Sequence, residues 1–240
     1  MAFSHGTLAR IYVHTLDMSG YTEQVDLTTD VDIAESKPLN ASYVSRHPGH
    51  RKSVLKLNGG GYDATAGANA AATWAQIAEA APGHPYAFMP AGDAHGRVAH
   101  CGVVTPDSSQ IVVAGDDIVR LPFGMLSLEQ SDFCRVLRAL AAGGTSPGTA
   151  YNSGAGSANG GAAYLLCTAL SAGATLTVTI EHAPDGLDWE ALVTMTALAA
   201  AGSEVKVVAP ETAVNQYLRV TWTLTGDTPT ATWFAAFGRR

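Results

Sequence analysis

Charge is scarce in this chain. Only 15% of its 240 residues are Asp, Glu, Lys or Arg, and the balance is -7, where a globular protein ordinarily carries about a quarter charged residues. With 14 basic residues against 21 acidic ones, the chain is poorly equipped to neutralise a phosphate backbone. That excludes a nucleic-acid binder driven by counterion release, but suits a protein that lets a polyanion pass. Cysteine is scarce too: Cys101, Cys134 and Cys167 are odd in number and lack metal-ligand spacing. They read as small buried hydrophobes in a reducing compartment. No apolar run approaches the ~20 residues that cross a bilayer. The opening MAFSHGTLAR lacks the apolar segment of a secretory signal. A soluble, cytosolic chain without a membrane partner is expected.

Catalytic signatures are also missing. His95 and His100 stand five apart, and His47, His50 and His84 fall in expected loops without matching Cys or acid ligands. Asp116 and Asp117 lie in an AGDD turn, where aspartate is favoured for backbone reasons. Gly59 to Gly61 precede a helical pattern, but neither a GxGxxG nor a Lys-Ser/Thr phosphate motif follows. Asp63 would repel a phosphate there. No Ser or Cys occupies a nucleophile elbow. The chain reads as a non-enzyme with no metal and no cofactor.

What is present is alternation. From Thr22 to Ile33 the even positions are Thr22, Gln24, Asp26, Thr28, Asp30 and Asp32; the odd ones from 25 are Val25, Leu27, Thr29, Val31 and Ile33. Side chains alternate across a strand, so one face is acidic and the other largely apolar. Buried, unpaired carboxylates are costly, so the acidic face must meet water. A first strand is expected over Leu8 to Thr15, before a DMSGY turn. Glu35 to Lys52, broken by Pro38, Pro48 and Gly49, reads as a long loop or loose hairpin, and Ser53 to Leu57 as a returning strand. Ala66 to Ala81 carries Ala70, Trp74, Ile77 and Ala81 on one helical face and ends at PGHP. Further strands are expected over Tyr86 to Met89, Arg97 to Val104, Gln110 to Ala114 and Ile118 to Leu126. Ser131 to Ala142 fits either a short helix or a strand.

Gly143 to Gly161 is glycine, serine and asparagine rich and reads as a linker or long loop. Beyond it six short strands are expected, over Tyr164 to Ala169, Thr175 to His182, Leu192 to Thr196, Glu204 to Val208, Tyr217 to Thr223 and Thr230 to Phe237. Turn signals such as PDG at Pro184 to Gly186 separate them, which describes a small β-sandwich.

The segments MAFSHGT, DMSGY, IAES and RHPGHRKSVLKLNGGGYD, followed by GYDATAGANAAATWAQIAEA and YAFMP, are similar in type and order to the major tail tube proteins of long-tailed bacteriophages. The resemblance covers roughly residues 1 to 142. It implies a mainly β fold: an N-terminal tail-tube sandwich or barrel with one flanking helix, followed by an additional C-terminal sandwich. The domains are then 1–142, a linker at 143–161, and 162–240 as exterior decoration, with truncation after Ala142 leaving an assembling domain.

The resemblance further implies hexameric rings that stack into a tube and conduct DNA without binding it specifically. The even face, Thr22, Gln24, Asp26, Thr28, Asp30 and Asp32, becomes the channel-lining candidate; the other reading is an ordinary solvated face. Lys37 to Lys52 takes the place of the loop that reaches the adjacent ring. Asn40, Tyr43, Arg46, His47, His50, Arg51 and Lys52 are the stacking candidates there, against the reading of a solvated surface loop. Implied partners are further copies and the tape measure, tail terminator and distal tail proteins. Assembly would take place in the host cytoplasm and the final location would be the virion tail. Two alternatives stand beside this. One is a surface- or carbohydrate-binding sandwich module using Trp189, Trp222 and Trp233, unless these belong to the core. The other is a tail-completion protein that forms a single ring.

Overall fold

The computed structural model describes residues 8–36, 45–58, 83–109, 123–127 and 131–240. The protein is mainly β, with fifteen strands among the described residues. In chain order they are β1 (Arg10–Val13), β2 (Leu16–Asp17), β3 (Gln24–Ser36), β4 (Ser45–Asn58), β5 (His84–Met89), β6 (Val98–Ser109), β7 (Phe123–Ser127) and β8 (Asp132–Ala142). There follow β9 (Tyr151–Asn152), β10 (Gly161–Leu170), β11 (Thr175–Ala183), β12 (Glu190–Thr194), β13 (Gly202–Val208), β14 (Tyr217–Thr225) and β15 (Ala231–Arg239). Contacts divide the chain into two compact units: Met1–Gly20 with His84–Cys101 and Asp132–Arg240, and Tyr21–Gly83 with Gly102–Ser131.

In the first unit, antiparallel pairing runs β13–β10–β15–β8–β6–β5–β1–β2, and a second sheet runs β12–β11–β14–β9. Burial follows from which faces are covered. β11 (TLTVTIEHA) alternates, with Leu176, Val178 and Ile180 inward and Thr175, Thr177 and Thr179 half-exposed, because one face meets a core. β10 (GAAYLLCTAL) shows no alternation, because both of its faces are buried. Ala163, Leu165 and Cys167 join Leu176, Val178, Val220, Trp233 and Phe237 in a core between the two sheets. Ala162, Tyr164 and Leu166 join Tyr12, Ala87, Met89, Cys134, Val136, Phe234 and Ala236 in another.

That second core lies inside a sheet curled on itself. His14 Nδ1 comes within 2.6 Å of Ser203 Oγ, which draws the β1 end of the path to the β13 end. Tyr12 meets Phe234 edge to face at 5.4 Å, and its hydroxyl donates to Asp93 Oδ2 at 2.7 Å. Tyr164 donates to Asp132 Oδ2 at 2.7 Å, and Arg240 grips both oxygens of that buried carboxylate at 3.0 Å. Burial first, then the carboxylate bond, pushes the Tyr12 hydroxyl far above its ordinary range. Glycine is required where β10, β15 and β8 approach most closely. A Cβ on Gly161 would meet the Gly238 carbonyl at 2.3 Å, and one on Gly238 would meet Cys134 Sγ at 2.8 Å.

The second unit holds an antiparallel run β3–β4–β7, with β7 also paired to the later residues of β6, from Val104 on. Leu55, Leu57 and Met125 are fully buried in it.

Each of the six expected C-terminal strands is present with its bounds moved by a few residues. Strand pairing decides three readings that the residues left open. Of the loop and hairpin readings for Glu35 to Lys52 the hairpin holds: Ser45 to Lys52 is strand, and the second and third expected strands form one long hairpin. For Ser131 to Ala142 the strand alternative holds, as β8 (Asp132–Ala142), paired to β15 and to β6. Residues 143–161 are no free linker: β9 pairs β14, Gly148 N donates to Val220 O at 2.8 Å, and Ser153 N to Gln216 O at 3.1 Å. The contact-defined units therefore cut across the expected division at 142, because strands from both ends of the chain share one core. The expected helix at Ala66 to Ala81 and the strand at Gln110 to Ala114 lie outside the described residues, as do Asp116, Asp117 and Gly59 to Gly61.

Candidate assembly surface

The acidic alternating strand is β3, and the hairpin decides what its side chains face. Its register sets Gln24 against Asn58, Asp26 against Lys56, Thr28 against Val54 and Asp30 against Lys52; farther out Glu35 faces Arg46. Each acid on the even positions of β3 up to Asp30 thus stands opposite a lysine. Opposite charges at facing positions of an antiparallel pair stabilise by roughly 0.2–1 kcal/mol. Asp26 is further held by Gln24 Nε2 at 2.9 Å and Asn58 Nδ2 at 3.2 Å. The stripe expected to be acidic is close to charge-balanced. The sequence carried a signal for this that went unread: acids four apart at 26 and 30, lysines four apart at 52 and 56.

Of the channel-lining candidates, Thr22 precedes β3 and is half-buried, Gln24, Thr28 and Asp30 are exposed, and Asp26 is half-buried. Asp32 lies in β3 where the register slips. Val31 faces Arg51 but Ile33 faces Pro48, so one residue of β3 is set against two of β4, a β-bulge. Pro48 has no N–H to give a ladder, and a bulge is where a strand accommodates it. Among the stacking candidates, Arg46, His47, His50, Arg51 and Lys52 belong to β4. Asn40 and Tyr43 lie outside the described residues.

The odd face packs unevenly. Leu55, Leu57 and Ser53 of β4 are buried, and Thr29 shares a 3.0 Å hydroxyl hydrogen bond with Ser53. On β3 itself Val25 and Leu27 are only half-buried, and Val31 is 40% exposed. β4 is flanked on both sides, by β3 and β7, whereas among the described residues β3 pairs with β4 alone. Thirteen residues at about 3.3 Å each give an open edge of ~43 Å.

The other candidate residues scatter. Trp233 is buried and meets half-buried Trp222 edge to face at 5.2 Å. Trp189 stands apart, its Nε1 donating to Gly186 O at 3.0 Å and its ring covered by Arg219 at 4.1 Å. The three indoles share no exposed face. His100 sits between Phe88 and Phe133, and burial pulls its pKa down. Cys101, Cys134 and Cys167 are free thiols in the cores, and burial pushes the Cys134 and Cys167 thiols up. Among the described residues no three His, Cys, Asp or Glu side chains converge in a way that holds a metal. No described helix is long and apolar enough to cross a membrane.

No protein-family model matches the chain, and no curated protein is similar to it. Among solved structures, the tail of an empty gene transfer agent particle with C6 symmetry gives a TM-score of 0.42 at 12% identity, over 55% of this chain and 98% of that one. The SPP1 Dit (gp 19.1) protein, a hub adsorption apparatus of phages infecting Gram-positive bacteria, gives 0.37 at 7% identity over 96% and 99%. A chain of the phage p2 baseplate in its activated conformation gives 0.39 at 7% identity over 97% and 98%. At these scores the likeness assigns no function.

Proposed function

We propose that the chain is a structural subunit of a phage tail or related particle, and that it joins further copies of itself through the open edge of β3. The observation that carries this is the edge: thirteen residues long, paired on one side only among the described residues, with Val31 exposed beside it. Edges of that length invite another strand, and native proteins cover, break or charge them. Here Asp26 and Asp30 stand in register with Lys56 and Lys52 of β4, which leaves the edge suited to a partner strand. The residue patterns shared with tail tube proteins support the finer reading. Six copies close into a ring, so that no edge remains, and rings stack with the β3–β4 tip reaching the next ring. The even face of β3 then lines a channel that conducts DNA, and tape measure, terminator and distal tail proteins meet the ends. The role is structural, not catalytic.

A near-neutral wall lets phosphates slide, since neither sign dominates. Changing Asp26, Asp30 and Asp32 together to Asn would leave Lys52 and Lys56 without their facing acids. Particles built from that variant should assemble and appear normal by negative-stain microscopy, but eject DNA more slowly at low salt and recover as salt screens the lysines. Unchanged ejection at low salt would remove β3 from the channel wall. Single rings that never stack would keep the edge pairing and give the subunit a one-layer place in the tail.

A further inference from the structure

A cavity of about 280 Å³ opens in the first unit between β8, residues 145–149 and β14. Its floor is apolar, with Leu137, Val220 and the ring of Trp222; its rim carries Thr145, Thr149 and His95. Neither threonine hydroxyl nor the His95 ring hydrogen-bonds to the described protein; His95 only meets Tyr151 edge to face at 6.2 Å. The rim is fixed before any ligand arrives, because Gly148 N donates to Val220 O at 2.8 Å and Trp222 N to Ser146 Oγ at 3.0 Å.

Arg138 supplies the charge. Its guanidinium lies 4.7 Å from the Trp222 ring centre and 4.3 Å from that of Trp233. Its Nη2 donates to the carbonyls of Ala141 and Gly143, and Nη1 has no acceptor among the described residues. No described carboxylate pairs with it, although the chain as a whole is acidic. A cation held by two indoles and two carbonyls, without a counter-charge, is a preorganised anion receptor.

We propose that this cavity binds a carboxylated sugar, one uronic-acid-type ring at a time. Arg138 Nη1 meets the carboxylate, the C–H face of the ring rests on Trp222, and Thr145, Thr149 and His95 bond the hydroxyls. The volume lies just below the ~300–1,000 Å³ of drug-sized pockets, so it takes a single ring and not a chain of them. A phosphate dianion is a poorer match, since no helix N-terminus or cluster of backbone amides lines the site. The sequence had pointed at Trp189, Trp222 and Trp233 for sugar; of these only Trp222 lines the cavity. No residue of the β3–β4 hairpin takes part, so the ligand can be tested whether or not the chain assembles.

The test is saturation-transfer NMR on the full chain with D-glucuronate, D-glucose, acetate and glucose 6-phosphate, each at millimolar concentration. Glucuronate should receive saturation and quench tryptophan fluorescence, with glucose and acetate at least about tenfold weaker, the worth of one charge-assisted contact. Thr149→Trp, at an exposed position, should fill the cavity and abolish binding with an unchanged melting temperature. The pair Thr145→Val and Thr149→Val should weaken it without filling the space. Silence from glucuronate, equal binding of glucose or acetate, tighter binding of the phosphate, or binding retained in Thr149→Trp would each overturn the assignment.

Discussion

A chain truncated after Ala142 is expected to stay unfolded. The cut removes β10, β13 and β15, so β8 loses β15 along its whole length. It also strips Ala162, Tyr164, Leu166, Phe234 and Ala236 from the core they build with Tyr12, Ala87, Met89 and Val136. Emptying the place of a single core Phe costs about 3–5 kcal/mol, and a domain has only about 5–15 kcal/mol in all. Four buried aromatic side chains leave at once here: Tyr164, Phe234 and, from the neighbouring core, Trp233 and Phe237 beside Leu137. Asp132 loses both Tyr164 and Arg240 and becomes a carboxylate on an opened core face. Circular dichroism and limited proteolysis should find no cooperative melt and rapid digestion. A truncated chain that melts cooperatively would restore the boundary at 142.

Proline placed singly at Thr28, Thr29, Asp30 and Val31 should sort into two classes. Along an edge strand, alternate amides point toward the neighbour and away from it. Where the amide donates to β4, proline removes a ladder bond and costs roughly 3 kcal/mol or more. Where it points outward, the monomer loses nothing and keeps its melting temperature, because proline is tolerated on an edge. Only in the second class should a fully folded protein lose assembly completely, since the missing donor lies on the face offered to a partner. Sedimentation velocity distinguishes the cases: monomers for the outward class at concentrations where the parent chain assembles. Outward prolines that assemble normally would show that copies meet elsewhere.

Much of the C-terminal architecture was legible where a strand buries one face only. β11 and β14 alternate along their length, and PDG at Pro184 to Gly186 marks a turn. β8 was ambiguous for a physical reason. Cys134 and Val136 point to one core and Leu137 to the other, so the period of two is blurred, and two register shifts against β15 blur it further. Pro48 and Gly49 fit a loop as well as a hairpin; they sit in a bulged strand, a context that local sequence does not record. The glycine-rich run at 143–161 has the composition of a linker, and only its hydrogen bonds to Val220 and Gln216 reveal that it lies along β14. Pairing of β8 with β15 spans about 90 to 104 residues of sequence, and such non-local contacts leave no local pattern to read. The candidate surface was half legible: the acidic stripe stood in the sequence, while the lysines opposite it required the register.

Hydrogen–deuterium exchange of the β3 segment, Gln24 to Ser36, followed as a function of protein concentration, tests edge pairing most directly. The amides that face β4 should be protected at every concentration. The outward amides should exchange freely in dilute protein and become protected as it is concentrated, in step with the growth of assembled species. Outward amides that exchange equally fast at every concentration, while the chain assembles, would contradict pairing through β3.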